Sequence, residues 1–136
     1  LRYLDYLDGV MIEDFAVDYN DEYYDERFWM DQQEMVVEAQ KRGKSLILVS
    51  QGTMNDTDRA RFSFVSYLLV NNGKAAFRYT GSDYYEEVWF YENYQLELGA
   101  PISNAYQVDG GWRRDFSKGF VFLDPDQYHS EIHLAE

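Results

Sequence analysis

The chain is predicted to be an α/β protein built on a parallel sheet, and three observations predict it. Val10-Met11-Ile12 is an unbroken, partly β-branched apolar run, which reads as a strand buried on both faces. Residues 26–42 carry apolar side chains at helical spacing. Residues 44–50 then return to a solid apolar run. Strand and helix that alternate in this way pack as a parallel sheet with right-handed crossovers.

Each element has its own local signals. Asp8-Gly9 turns into the first strand, and Glu13-Asp14 follows it. Residues 16–25 form a polar, aromatic loop, longer than the roughly 2–6 residues usual between strand and helix. In the first helix Phe28, Trp29, Gln32, Met35, Val36 and Ala39 share a face. Asp25 suits its N-cap, and Lys41-Arg42-Gly43 suits its C-terminal end. The second strand, 44–50, leads into a turn-rich loop at 51–58. A helix is expected at 58–71, with Ala60, Phe64, Tyr67, Leu68 and Val70 apolar, closed by Asn72-Gly73. Residues 74–79 make a third strand with 80–83 as its exit. Val88, Trp89, Tyr91, Tyr94, Gln95 and Leu98 predict an amphipathic helix over 84–98, stopped by Gly99-Ala100-Pro101. Residues 102–111 read as a loop. Residues 112–116 and 120–123 bracket Ser117-Lys118-Gly119 as a hairpin, and Asp124-Pro125 ends it. The expected organisation is one domain over 1–126 and an extended tail over 127–136.

With 136 residues the chain is long enough for one core and no more. It starts at Leu1 without a Met, which reads as a chain cut or processed from a longer one. No apolar run approaches the roughly 20 residues of a membrane span. The absence of cysteine excludes disulfides and thiolate metal ligands. A formal net charge of −13 argues against nucleic acid and anionic membrane surfaces as partners. Aromatic residues make up 18% of the chain, and Tyr and Trp present a flat apolar face with a polar edge, suited to sugar rings.

In parallel sheets chemistry sits where a strand ends and its loop begins. Glu13 is therefore the first candidate and Asp14 the second, with side chains expected on opposite faces. Asp83, after the third strand, and Asp109, in an Asp-Gly-Gly loop, are candidates for a second carboxylate; each also suits a cap or a turn. Gln51 follows the second strand, where a polar group meets a substrate hydroxyl. Tyr79, Tyr84, Tyr106 and Trp112 lie in or beside the predicted exit loops as stacking platforms, with packing as the alternative use. His129 and His133 are four apart, but their surroundings read extended and no third ligand is nearby, so no metal site is expected. No phosphate-binding Gly-rich loop, nucleophile elbow or other cofactor motif is present, and no cofactor is expected.

Three segments together carry a family resemblance. Asp8-Gly-Val-Met-Ile-Glu13-Asp14 is similar to a strand of the form DG-apolar-apolar-apolar-acid. Leu96-Glu-Leu-Gly-Ala-Pro101 is similar to an LDLGxP element, and 112–125 to a closing RxFxNGxVxxNP segment. In this order they resemble the C-terminal half of a group of TIM-barrel glycoside hydrolases that includes polygalactosaminidase-like families. The resemblance implies half of a (β/α)8 barrel. It also implies hydrolysis of a polysaccharide through paired carboxylates. Glu13, with Asp14 beside it, stands where the group has Asp, and Asp124 stands where it has Asn. Arg114 matches the Arg of the closing segment, as a substrate-holding group or a tie across the barrel. The alternative function is a non-catalytic carbohydrate-binding or cell-surface module. A half-barrel exposes strand edges and an apolar face, so the resemblance further implies a missing N-terminal half or self-association as partner. It implies a secreted or cell-surface location for a glycosidase.

Overall fold

The structure, a computed structural model, describes residues 2–81 and 86–136. Asp83 and Tyr84 lie outside the described residues. The first part of the chain alternates as expected. Strands β1 (Gly9–Ile12), β2 (Ser45–Gln51) and β3 (Ala75–Thr80) form a parallel sheet in the order β1-β2-β3. Helices α1 (Glu26–Lys41) and α2 (Thr57–Val70) make the two crossovers. The Asp25 carboxylate caps α1 by accepting from the Phe28 N–H at 2.8 Å, and Asp56 caps α2 by accepting from the Arg59 N–H at 3.1 Å. Gly43, at φ +79°, takes the left-handed turn that ends α1, and its N–H reaches the Gln40 carbonyl at 2.9 Å.

Both helices cover the same face of this sheet. Val10, Ile12, Leu46, Leu48, Ala75 and Phe77 pack with Val36, Ala39, Val65 and Leu69 in the main core. The register aligns Met11, Ile47 and Ala76 on the opposite face. There Met11 and Ile47 remain 56% and 52% exposed. β1 is thus an edge strand covered on one face, and the expectation of burial on both faces is corrected. Three apolar residues in a row satisfy either environment, so periodicity alone does not separate them.

The second part overturns the expected half-barrel. Strands β4 (Tyr106–Val108), β5 (Gly111–Phe116), β6 (Gly119–Asp124) and β7 (His129–Leu134) form a separate antiparallel sheet in the order β4-β5-β6-β7. The chain is therefore a three-stranded parallel α/β unit joined to a four-stranded antiparallel sheet, with two α-helices among the described residues. The reason is connection length. Two, two and four residues separate β4 to β7, and such turns join only antiparallel neighbours, whereas a parallel pair needs a crossover of about a dozen residues. Burial along β5 and β6 also alternates, as one-sided strands require. Residues 127–136, set apart in sequence as an extended tail, contribute β7 to this sheet. Where the sequence pattern predicts a helix over 84–98, the described residues hold only a 3-10 turn at Glu92–Gln95. Its aromatics serve as individual plugs: Tyr94 packs edge-on to Phe64 at 4.8 Å and to Tyr91 at 5.6 Å.

Helix α2 lies between the two sheets, which is why it is buried on several sides and carries no clean polar face. The antiparallel sheet presents Phe116, Val121 and Leu123 to it, with Arg114 buried on the same face, and keeps Arg113, Asp115, Phe120 and Phe122 on the other. On that outer face Asp115 accepts from the Tyr106 hydroxyl at 2.6 Å and from Arg113 Nε at 2.7 Å. Glu131 bridges His133 at 2.7 Å and His129 at 2.8 Å. These hydrogen bonds hold both carboxyls below their ordinary values of 3.8 and 4.5, from Tyr106 then Arg113 for Asp115, and from His133 then His129 for Glu131. A depressed carboxyl contributes stability above its unfolded pKa and loses it as pH falls through the folded value. Acidification from pH about 5 to about 3 is therefore expected to lower the melting temperature more in the wild type than in an Asp115→Asn/Glu131→Gln double variant. Equal slopes in a thermal-melt series would refute this.

Candidate functional site

The exits of the three parallel strands meet at one end of the sheet, and the loop after β1 is the most heavily tied. β1 stops at Ile12, so Glu13 and Asp14 sit in a turn and not on the strand. Gln32 of α1 clamps that turn from both sides. Its Nε2 donates to the Asp14 carbonyl at 3.0 Å, and its Oε1 accepts from the Ala16 N–H at 2.8 Å. The Tyr24 hydroxyl donates to the same Asp14 carbonyl at 2.8 Å, and burial pushes its pKa up to about 12. Phe15, fully buried, pairs with β2 through its N–H to the Val49 carbonyl at 3.0 Å, while its carbonyl accepts from Ser50 Oγ at 2.6 Å. Ala16 then adopts φ +68°, a left-handed conformation uncommon for a residue with a side chain. The backbone at this exit is thus fixed by α1 and β2 together.

A second tie comes from Arg59, which is fully buried on α2. Its Nε donates to the Gln51 carbonyl at 2.8 Å, Nη1 to the Glu22 carbonyl at 2.7 Å, and Nη2 to the Asp18 carbonyl. One guanidinium therefore joins the β1 exit loop to the β2 exit, and Tyr23 covers it at 5.3 Å. A Cβ at Gly52 would overlap the Tyr79 hydroxyl and come within 2.8 Å of Arg59 Nε, so only glycine fits under the guanidinium. Gly52→Ala is expected to cost about 1–3 kcal/mol through overpacking, read as a lower urea midpoint. An unchanged midpoint would show that Arg59 gives way freely.

The electrostatics single out Asp14. Its pKa is raised, first by burial and then by the negative charges of Asp18 and Glu13, with Arg59 opposing in part. Glu13 beside it is exposed. The site thus pairs a carboxyl that holds its proton more firmly than usual with an open carboxylate one residue away, a combination suited to acid–base work.

The candidates read from the sequence divide into two regions. Glu13, Asp14, Gln51 and Tyr79 lie at the parallel-strand exits. Gln51 ends β2, and its carbonyl is taken by Arg59. Tyr79 is buried, and its hydroxyl donates to the Thr53 carbonyl at 2.9 Å. The other described candidates lie in the antiparallel sheet. Asp109 occupies the β4–β5 turn, and the Tyr106 hydroxyl is bonded to Asp115. Trp112 packs toward Trp29 at 6.4 Å. Arg114 is 3% exposed and spends its fork on Ser103, Leu68 and Asn71 carbonyls and on Asn72 Oδ1, all within 2.9 Å. It ties β5 to the end of α2. The sequence reading missed Arg59, Tyr24 and Asp18. Arg59 stands three and four before Phe62 and Ser63 on the buried side of α2, and a charge at that spacing is the signal that was available.

Glu13, Asp14 and Asp18 thus share the loop that leaves β1, in a protein that joins a parallel α/β unit to an antiparallel sheet. Comparison with known families makes the class specific. The chain belongs to hypothetical glycosyl hydrolase family 15, whose profile matches residues 1–120. That span runs from the N-terminus through β5 and into β6, so it covers the parallel sheet and the first part of the antiparallel one. No curated protein matches the chain. The resemblance to glycoside hydrolases read from the three sequence segments therefore stands at the level of the glycosyl hydrolase class, without the half-barrel.

Proposed function

We propose that the chain contributes the acid–base site of a glycoside hydrolase that cleaves a polysaccharide, with Asp14 as the proton donor and Glu13 as the base or nucleophile. The observation that carries this reading is the raised pKa of Asp14 at the exit of β1. Glycoside hydrolysis needs one carboxyl protonated and another ionised on either side of the scissile bond. Burial and the Asp18 and Glu13 charges favour the protonated form at Asp14, while Glu13 stays open to solvent. Family membership supplies the reaction class. The net charge of −13 disfavours polyanionic chains as substrate.

Gln32 and Arg59 act as positioning residues: they hold the backbone around Asp14 and reach no substrate themselves. Release of reducing ends from a panel of neutral polysaccharides, comparing wild type with Asp14→Asn and Glu13→Gln, tests the assignment. Loss of release in both variants, with folding intact, supports it. Undiminished release in both would place the chemistry elsewhere.

A further inference from the structure

A cavity lies away from the strand exits, between α1, the end of α2 and the β5 side of the antiparallel sheet. Its volume is about 370 Å³, within the range of small-molecule sites. None of its lining residues belongs to the loops after β1 or β2. Trp112, half-buried, turns its indole to the cavity, and Trp29, 2% exposed with its Nε1 donating to Ser66 Oγ at 3.0 Å, backs it at 6.4 Å with the planes at 50°. Val37 and Met30 extend the apolar wall, and Asn104 adds an exposed amide at the mouth.

The polar group that decides the ligand is Gln33, which lines the same cavity and is 8% exposed. Its Nε2 donates to the Ser66 carbonyl at 2.9 Å. Its Oε1 is a buried acceptor without a hydrogen-bond partner among the described residues. A buried acceptor is costly to leave unpaired, so a purely apolar ligand gains nothing from it. A ligand that brings a hydroxyl donor beside a flat C–H face answers both the indole and the amide. Pyranose rings have that chemistry. Glu34 and Glu38 on the cavity wall outnumber Lys41 there, and with the overall negative charge they disfavour an anionic sugar.

We propose that this cavity is a non-catalytic saccharide site that holds a neutral sugar ring against Trp112. It goes beyond the hydrolytic reading and does not depend on it. The test is a printed array of neutral gluco-, galacto-, manno- and xylo-oligosaccharides, followed by calorimetric titration of the strongest binder. Wild type, Trp112→Ala, Asn104→Ala and Asp14→Asn are compared. The expected result is binding that Trp112→Ala weakens by about tenfold or more, as loss of an aromatic stacking face should. Asn104→Ala, at an exposed position that cannot unsettle the core, is expected to weaken it several-fold, and Asp14→Asn to leave it unchanged. Absence of binding to every sugar on the array overturns the proposal. So does binding that survives both Trp112→Ala and Asn104→Ala, or binding lost in Asp14→Asn, which would assign the sugar to the strand-exit site. Failure of the hydrolysis assay with binding intact would remove the proposed catalytic function and leave this site standing.

Discussion

Arg59→Leu is expected to lower folding stability by about 3–5 kcal/mol, the largest effect of any single substitution at this site. The leucine fills part of the volume but donates nothing. The carbonyls of Gln51, Glu22 and Asp18 would each lose a charge-assisted hydrogen bond, and the guanidinium that supplies them is fully buried. Hydrogen bonds to a charged group are worth roughly 1.5–3 kcal/mol each, and orphaned carbonyls carry a further desolvation cost where water cannot reach them. The loop between Asp14 and Asp25 would lose its anchor to α2, so activity should drop even in the fraction that remains folded. Urea denaturation gives the first number and specific activity of the folded fraction gives the second. A stability change below about 1 kcal/mol would mean that the three carbonyls find other donors, and the clamp would lose its importance. Arg59→Lys is expected to rescue little, because one ammonium on a thin stem cannot reproduce a planar fork that serves three acceptors.

Asp14→Asn is expected to reduce turnover by about 10²–10⁴-fold, the usual contribution of a general acid. A proton donor works only while protonated. The wild-type rate should therefore fall as pH rises through the folded-state pKa of Asp14, which lies above its ordinary value of 3.8. Asparagine has no proton to lose, so the small residual rate of the variant should lack this alkaline limb. Glu13→Gln should also lose turnover, since the amide can act neither as base nor as nucleophile. Stability separates this role from a structural one. A carboxyl with a raised pKa is less comfortable ionised in the folded protein than in the unfolded chain, so its charge opposes folding at neutral pH. Asp14→Asn should thus be at least as stable as the wild type there while losing activity. The assignment is falsified if the variant keeps its alkaline limb, because another group must then carry the proton.

The first half of the fold was legible because its signals are local. Asp25 and Gly43 bound α1 by chemistry that operates within one turn. Hydrophobic runs at 10–12 and 44–50 mark strands whatever they pack against. The hairpin around Ser117-Lys118 was also legible, since alternation and a short turn leave one pairing. Glu13 and Asp14 stood out for the same reason: two acids directly follow a strand.

What the sequence by itself determined, then, is the three parallel strands, the ends of the two helices between them and the hairpin at 112–123, whereas the helix expected over 84–98 and the loop expected over 102–111 give way to a 3-10 turn and to β4. Only the tertiary structure decided how the elements are shared between sheets. Residues 106–134 pair with one another and not with β3, because short turns let antiparallel neighbours close without the entropy of a long crossover. Only the tertiary structure, likewise, gave Asp14 its raised pKa and Arg59 its three carbonyls. Both depend on groups brought together from distant parts of the chain: Asp14 and Asp18 from one loop, Gln51 from β2 and Arg59 from α2. Burial and charge proximity are properties of that assembly, and no single stretch of sequence contains them.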